Sequence, residues 1–288
     1  MRRLILIILA LATLLPSLAQ AYDVLVLQSR RDAGYEEALA GFRTGSKVSE
    51  RLIVLSDYAD VDVVRIVRED RPKLILALGD AALKEARKIR QTPVVALMSL
   101  RIHDKKASPP NLTGIGMFAP PESYIRLFKA MKTERIGVVY NPARSGWYLQ
   151  LARKSAREAG ITLESREVKT PQETIEQLAT LAGKVDAVWM LPDSVAVTRE
   201  SSEAYFRFGQ QHSVPVVSFA AGYLGLGAAT VLEIDRTGLG QQAAGMVTAI
   251  LDGADTNSTA PVFPKEIKFK SNSSVLKRLG QSLVENFF

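Results

Sequence analysis

Of the 288 residues, 47% are hydrophobic and 23% charged, a composition typical of a globular protein and not of a disordered or fibrous one. The length suggests two domains. It contains no cysteine and only two histidines, so disulfides, zinc-thiolate sites and a thiol nucleophile are excluded and a histidine metal site is not expected. The formal net charge is +7, but basic and acidic residues alternate at helical spacing, as in 84–88, which indicates solvated helix faces and no nucleic-acid partner.

The first 21 residues have the three parts of an export signal. Arg2 and Arg3 form a basic start, residues 4–15 are almost wholly apolar, and Ala-Gln-Ala at 19–21 matches a cleavage site. The apolar run is shorter than the ~20 residues that span a bilayer. We therefore expect cleavage after residue 21, which leaves a soluble, periplasmic chain with a formal charge of +5. Because no cysteine follows the apolar run, a lipid anchor is not expected.

Short apolar segments alternate with helical patterns after residue 22. The predicted strands of this part are 24–27, 52–55, 74–78 and 94–97, and the predicted helices are 35–42, 61–69 and 80–88. Continuous apolar strands separated by helices predict a parallel sheet that is covered on both faces.

The same alternation restarts after a stretch rich in Pro, Ser and Lys at 104–110. The predicted strands are 135–140, 162–168, 187–191 and 214–217, and the predicted helices are 123–131, 147–159, 171–181 and 199–211. A tail then follows with a strand at 228–234, a helix at 240–251 and a last strand at 265–270. The fold class is therefore α/β, with two doubly wound, Rossmann-like lobes.

The tail makes the two lobes interleave along the chain. We predict that residues 22–115 and 236–261 form lobe 1, and that residues 116–235 and 262–288 form lobe 2. This division requires a three-segment hinge, with crossings near 114–118, 231–235 and 260–263. In such sheets ligands bind beyond the carboxyl ends of the strands, which here face the cleft between the lobes.

Polar residues stand where several predicted strands end. The candidates from lobe 1 are Ser29, Asp80 and Ser99, and those from lobe 2 are Asn141, Ser145 and Asp193. Each residue type is also common as a helix cap. Their coincidence at one edge of two facing sheets indicates a site for a small solute.

These residue types suit a ligand that carries both charges. The carboxylates of Asp80 and Asp193 suit an ammonium group, and we expect Asp193 to contact the ligand directly. The hydroxyls of Ser29 and Ser99, together with helix N-termini, suit a carboxylate. Three aromatic residues are candidate walls of the pocket: Tyr35, Trp147 and Tyr148.

No motif of catalysis stands out. The segment 238–243 fits the dinucleotide pattern G-x-G-x-x-A, but no acidic residue ends a following strand about 20 residues further on, so we interpret it as a helix start packed against a sheet. The chain has no Walker A sequence and no G-x-S-x-G elbow. We therefore expect no enzyme, no catalytic residue, no cofactor and no metal.

Several segments resemble the ABC-transporter substrate-binding proteins of the tryptophan/tyrosine-uptake type. They are Ile-Gly-Val-Val-Tyr-Asn-Pro at 136–142, Val-Asp-Ala-Val at 185–188, the stretch 227–253 and Asn-Leu-Thr-Gly at 111–114. The resemblance covers essentially the whole chain after residue 21. It implies a type I periplasmic-binding-protein fold and a small ligand, in several members an aromatic amino acid. Two positions depart from the family, which usually has Gly-Thr where this chain has Gly79-Asp80, and Asp-Pro where it has Ser99-Leu100.

Together these patterns predict an exported, monomeric solute-binding protein. It would capture a small molecule, an amino acid of the aromatic type or a related compound, in the cleft and pass it to the membrane permease of an ABC importer. The alternative is an exported ligand-sensing or accessory protein that docks on a receptor or sensor kinase. Both functions use the same cleft, so the residues do not separate them.

Overall fold

The computed structural model describes residues 22–104, 109–255 and 260–281. The predicted export signal lies outside the described residues, as does the end of the predicted lobe 2 beyond residue 281. Within the described ranges, no helix combines the length and the apolar character that crossing a membrane requires.

The first sheet contains five parallel strands in the order β2-β1-β3-β4-β5. The strands are β1 (Val24–Gln28), β2 (Glu50–Val54), β3 (Leu74–Leu78), β4 (Val94–Ser99) and β5 (Leu112–Gly116). The helices packed on it are α1 (Ala33–Gly45), α2 (Val63–Asp70), α3 (Asp80–Ala86) and, from the tail of the chain, α8 (Arg236–Leu251). This sheet and its four helices are called the first lobe below.

Strands β1, β3, β4 and β5 of the first lobe are buried on both faces, whereas the edge strand β2 is buried only at its last two residues. Val24 and Val26 of β1 pack with α1 and α8, whereas Leu25 and Leu27 pack on the opposite face with α2 and α3. Successive side chains of a strand point to opposite faces, so one apolar strand supplies both halves of the core.

The second sheet has six strands in the order β11-β10-β9-β8-β6-β7, and β11 alone runs antiparallel to its neighbour. The strands are β6 (Arg135–Tyr140), β7 (Thr162–Glu167), β8 (Ala187–Trp189), β9 (Val216–Ser218), β10 (Thr230–Ile234) and β11 (Ile267–Ser271). The helices of this second lobe are α4 (Pro121–Ala130), α5 (Gly146–Glu158), α6 (Pro171–Ala179), α7 (Arg199–Gln211) and α9 (Ser273–Arg278). Helices α4 and α5 cover one face, and α6 and α7 the other.

The chain passes between the two sheets three times. It leaves the first sheet after β5, returns at Asp235 between β10 and α8, and leaves again before β11. Val262, which we placed in lobe 2, forms a parallel bridge with Ile115 at the edge of the first sheet, and its amide donates to the Gly114 carbonyl at 2.9 Å. The exact lobe boundaries stay a prediction.

Two elements differ from the sequence prediction in an instructive way. Helix α8 begins at Arg236 and not at 240. The glycines that we took to precede the helix lie within its first turns, where they allow α1 to approach at very close range. A Cβ at Gly240 would lie 1.9 Å from the Ala38 carbonyl oxygen, and one at Gly41 would lie 2.1 Å from that of Thr237. The G-x-G-x-x-A pattern thus serves helix packing. Strand β5, with two glycines in five residues, was not predicted as a strand.

Candidate ligand-binding site

A cavity of about 630 Å³ lies between the two sheets. Its wall from the first lobe follows the ends of β1, β3 and β4, and its wall from the second lobe follows the ends of β8, β9 and β10. The cavity therefore lies beyond the carboxyl ends of parallel strands in both lobes, where α/β sheets bind ligands. Its volume is within the range of small-molecule sites, which is about 300–1,000 Å³.

Apolar and aromatic side chains form most of the cavity wall. They are Tyr35, Met98, Leu100, Met117, Tyr124, Val197, Phe219, Leu232 and Ile234. Tyr124 is fully buried, and burial holds the pKa of its phenol well above the ordinary value. This wall suits the apolar body of a ligand, above all a flat ring.

A β-bulge places Met98 at the cavity. The register between β4 and β5 shifts between Leu97 and Ser99, and Met98 has a positive φ of 52°, which is uncommon for a residue other than glycine. Met98 therefore packs on the same side of the sheet as Leu97. Ser99, one of our predicted site residues, is fully buried and does not line the cavity.

Three of the predicted residues form the corner of the cavity in the first lobe: Ser29 and Asp80 line it, and Ser99 lies behind them. The Ser29 hydroxyl donates to the Leu78 carbonyl at 2.8 Å and accepts from the Ala82 amide at 2.9 Å, so it caps the first turn of α3. Asp80 Oδ1 accepts from the Ser99 hydroxyl and from the Arg101 amide at 3.3 Å. Ser99 thus orients Asp80 from behind the cavity wall.

Tyr35 also lines this corner, as predicted. Its phenol lies against Gly79, where a Cβ would come within 2.2 Å of Tyr35 Oη, so a residue with a side chain at this position would have to displace the phenol. Gly79 also has a φ of 87°, which a side chain disfavours. Burial raises the pKa of the Tyr35 phenol above its ordinary value.

The corresponding corner of the second lobe is a closed hydrogen-bond network around Asp193. This side chain is 2% exposed. Its Oδ1 accepts from the amides of Val195 at 2.8 Å and Ala196 at 2.9 Å. Its Oδ2 accepts from the Asn141 amide at 2.8 Å and from the Ser145 hydroxyl. Each carboxylate oxygen therefore already has two donors from the protein.

The network brings together the three residues predicted from the second lobe, but only Asp193 reaches the cavity wall. Ser145 is fully buried behind Asp193, and the Asn141 amide group donates to the Val168 carbonyl at 2.8 Å, away from the cavity. In this structure both residues therefore support Asp193, and their predicted contact with a ligand stays a prediction. Their position behind the wall has a simple cause: residues that follow a buried strand also cap the next helix or turn.

The predicted wall residue Trp147 does not line the cavity either. Because α5 begins at Gly146, the indole lies against the crossing segments, where it stacks on the His103 ring at 3.8 Å and meets Phe118 edge-on at 5.2 Å. Tyr148 is fully buried, and its hydroxyl donates to the Ala119 carbonyl at 2.8 Å. Both residues belong to the packing beside the crossings.

Several lining residues were not predicted, above all the ionic ones. Arg30 pairs with Asp32 at 3.0 Å, and Arg236 pairs with Glu37 at 3.2 Å and with Glu233 at 3.8 Å. Although burial alone would raise the pKa of Glu233, hydrogen bonds from Lys270 and from the Ala221 amide hold it below its ordinary value. Arg30 and Arg236 each follow a strand end closely, which was the available signal.

In the described part of the chain, no group of three or more His, Asp or Glu side chains is arranged to hold a metal ion. The site thus consists of an apolar cavity with charged corners.

The type I periplasmic-binding-protein class is defined by two α/β lobes with largely parallel sheets, three crossings of the chain between them, and a solute-sized cavity between the strand ends. Residues 32–288 match the ABC transporter substrate binding protein family, and the chain belongs to that family. The resemblance and the fold class expected from the sequence are both confirmed.

Similar proteins are known with and without ligand. A tyrosine-binding protein of Clostridioides difficile (strain R20291) is 21% identical over 173 residues, which cover 59% of this chain and only half of that relative's length. A domain from Streptococcus pneumonia solved with L-Trp has a TM-score of 0.63 at 20% identity, with 92% of this chain and 97% of that one covered. A ligand-free, open substrate-binding protein with adhesive properties from Clostridium difficile has a TM-score of 0.70 at 18% identity, with 91% and 96% covered.

Proposed function

We propose that this protein binds a small solute with an aromatic body, an amino acid or a related compound, and delivers it to the permease of an ABC importer. One observation carries the proposal: a 630 Å³ cavity lies at the strand ends of both lobes, and its wall is aromatic and methionine-rich. The relatives described as binding tyrosine and L-Trp support the same ligand class.

Binding acts through the geometry of the lobes. A ligand that contacts both Tyr35 of the first lobe and Phe219 of the second favours the arrangement in which the two walls are close. Arg236 sits at the crossing between β10 and α8 and pairs with an acidic group on each lobe, Glu37 and Glu233, so movement of the lobes changes its surroundings. No covalent step is part of the proposal.

Export and the partner are parts of the same proposal. The basic, apolar and Ala-Gln-Ala segments of residues 1–21 support passage to the periplasm. Membership of the substrate-binding family supports a permease as the partner. Docking on a receptor or sensor kinase is the competing prediction. Deletion of the gene separates them, because loss of a transport component abolishes uptake of the labelled solute, whereas loss of a sensor component changes gene expression.

The binding test uses residues 22–288 in a thermal-shift assay with aromatic compounds, aliphatic amino acids and ribose. A ligand present at 100 times its Kd stabilises the folded state by about 2.7 kcal/mol, which is readily measured. Solution scattering of the same sample reports closure of the lobes as a decrease in the radius of gyration.

A matched pair of variants on helix α3 controls the assay. Ala81 lines the cavity, so Ala81→Trp places an indole inside it and is expected to abolish the thermal shift. Lys84 lies one turn further along the same helix, is exposed and does not line the cavity, so Lys84→Trp is expected to leave the shift unchanged. An equal response of the two variants would place the binding elsewhere.

A further inference from the structure

The charged groups around the cavity do not balance. Among the residues that the structure describes, six ionic side chains line it: Arg30, Asp32, Asp80, Asp193, Glu233 and Arg236. Four are carboxylates and two are arginines, so the cavity has an excess of negative charge although the chain as a whole is basic.

Both arginines already hold carboxylates of their own chain. Arg30 is paired with Asp32 at 3.0 Å, and the two terminal nitrogens of Arg236 are directed at Glu37 and Glu233. A ligand carboxylate that approached either arginine would meet the acid already paired with it at short range, and the two negative charges would repel each other. The arginines are therefore poor receptors for an anionic group.

The first turn of α3 does not offer an anion site either. Ser29 already accepts from the Ala82 amide, and Asp80, the first residue of the helix, adds a negative charge at the positive end of the helix dipole. A ligand carboxylate placed there would meet Asp80 at short range.

Asp80 and Asp193 differ in their capacity to accept another hydrogen bond. Asp193 has two donors on each oxygen. Asp80 has both of its donors on Oδ1, and within the described residues Oδ2 has no hydrogen-bond donor and no cationic side chain forms an ion pair with the carboxylate. Asp80 is also exposed, and it lines the cavity beside Tyr35.

From this distribution we infer, on the basis of the proposed function, that the ligand is a cationic amine with an aromatic body and no carboxylate, and that Asp80 receives the amine. The ammonium donates to Asp80 Oδ2 in a charge-assisted hydrogen bond. The apolar body lies on the wall formed by Tyr124, Phe219 and the two methionines. The ligand class is thus that of decarboxylated aromatic amino acids.

Calorimetry on residues 22–288 tests this with matched compounds: tyramine against tyrosine, tryptamine against tryptophan, and 3-phenylpropionate as the anion without an amine. We expect each amine to bind at least about 10-fold more tightly than its amino acid, and 3-phenylpropionate not to bind. Asp80→Asn preserves the side-chain size. Because the bound ligand and the approach of the two lobes would remove this carboxylate from water, the change is expected to weaken amine binding by roughly 30-fold or more, which is the effect of removing one partner of a desolvated charge pair. It also removes the salt dependence of amine affinity.

Glu85→Gln is the control variant. Glu85 lies on the same helix as Asp80 and pairs with Lys88 at 2.5 Å, but it does not line the cavity, so its change is expected to alter amine affinity less than about threefold. An amino acid that binds as tightly as its amine, binding of 3-phenylpropionate, or an Asp80→Asn variant with unchanged amine affinity overturns the inference and leaves the proposed function intact. If no compound binds and Ala81→Trp behaves as the unaltered chain with every solute tested, the proposed function fails as well.

Discussion

Asp80 and Asp193 occupy corresponding places in the two lobes, since each follows a buried parallel strand and lines the same cavity, yet their surroundings are opposite. Asp193 is buried and accepts four hydrogen bonds from its own chain. Asp80 is exposed and retains an oxygen without a donor among the described residues. The same residue type therefore maintains the backbone in one lobe and can receive a ligand in the other.

The largest difference is expected in stability. Asp193→Ala leaves the backbone amides of Asn141, Val195 and Ala196 and the Ser145 hydroxyl without their acceptor. A buried donor without an acceptor costs about 1–3 kcal/mol, and because some of these donors can reach water after the change, we expect a total loss of about 3–5 kcal/mol. For a chain of this size the melting temperature falls by roughly 6–15 °C. Asp80→Ala is the comparison, with an expected loss below about 1 kcal/mol because that side chain is exposed.

Differential scanning calorimetry of both variants measures this contrast. Equal losses from the two alanine variants would remove the distinction between the corners. The same sample tests the direct ligand contact that we predicted for Asp193. If the folded Asp193→Ala variant binds the ligand with unchanged affinity, the role of Asp193 is restricted to the hydrogen-bond network.

The contrast between the corners also shows what the sequence could and could not predict. Strand ends are visible in the sequence because β3 is apolar at every position and β1 at every position but its last, Gln28, and this placed Ser29, Asp80 and Asp193 at one edge. The direction of each side chain is a different matter. The bulge at Met98 reverses the alternation of β4, so Ser99 turns away from the cavity and Met98 turns towards it. Nothing in the local sequence marks that bulge.

The ionic groups depend on contacts that are distant in the sequence. Arg236 pairs with Glu37 across 199 positions of sequence, and this contact exists only because the glycines of α8 allow α1 to approach closely. Tyr124 comes from the second lobe through the packing of α4, not from a strand end. Periodicity therefore predicts the layers and the edge, whereas the identity of the lining depends on tertiary packing.

Acid is expected to lower the stability of the protein through His103, where the two lobes meet, by less than the Asp193→Ala substitution does. His103, from the turn after β4, stacks on Trp147 of the second lobe, and burial lowers the pKa of the imidazole from 6.5 to about 4. The folded state thus binds this proton more weakly than the unfolded state. Stability is complete above pH 6.5 and decreases as the pH falls from 6.5 towards 4, by about 1–2 kcal/mol once the partial exposure of the ring is allowed for.

Urea unfolding between pH 7.5 and 4.5 measures this decrease, and His103→Gln is expected to remove most of it. A slope that persists in His103→Gln would assign the acid sensitivity to other groups.

The smallest effect concerns the hydroxyls behind the two carboxylates, Ser99 and Ser145. Each donates to its aspartate from a fully buried position. Ser145→Ala leaves Asp193 with three donors in a buried network and should cost about 1–2 kcal/mol of folding free energy, whereas Ser99→Ala leaves Asp80 in contact with solvent and should cost about 0.5–1 kcal/mol.

Ligand binding is expected to respond to these two substitutions in the opposite order, because Ser99 orients the carboxylate that we assign to the ligand amine. Tryptamine affinity should fall about two- to fivefold in Ser99→Ala and stay within twofold in Ser145→Ala, since an oriented acceptor loses less rotamer freedom on binding. Urea unfolding should therefore show the larger loss of stability in Ser145→Ala, and calorimetry the larger loss of affinity in Ser99→Ala. A larger loss of affinity in Ser145→Ala would instead place the receptor for the amine in the second lobe.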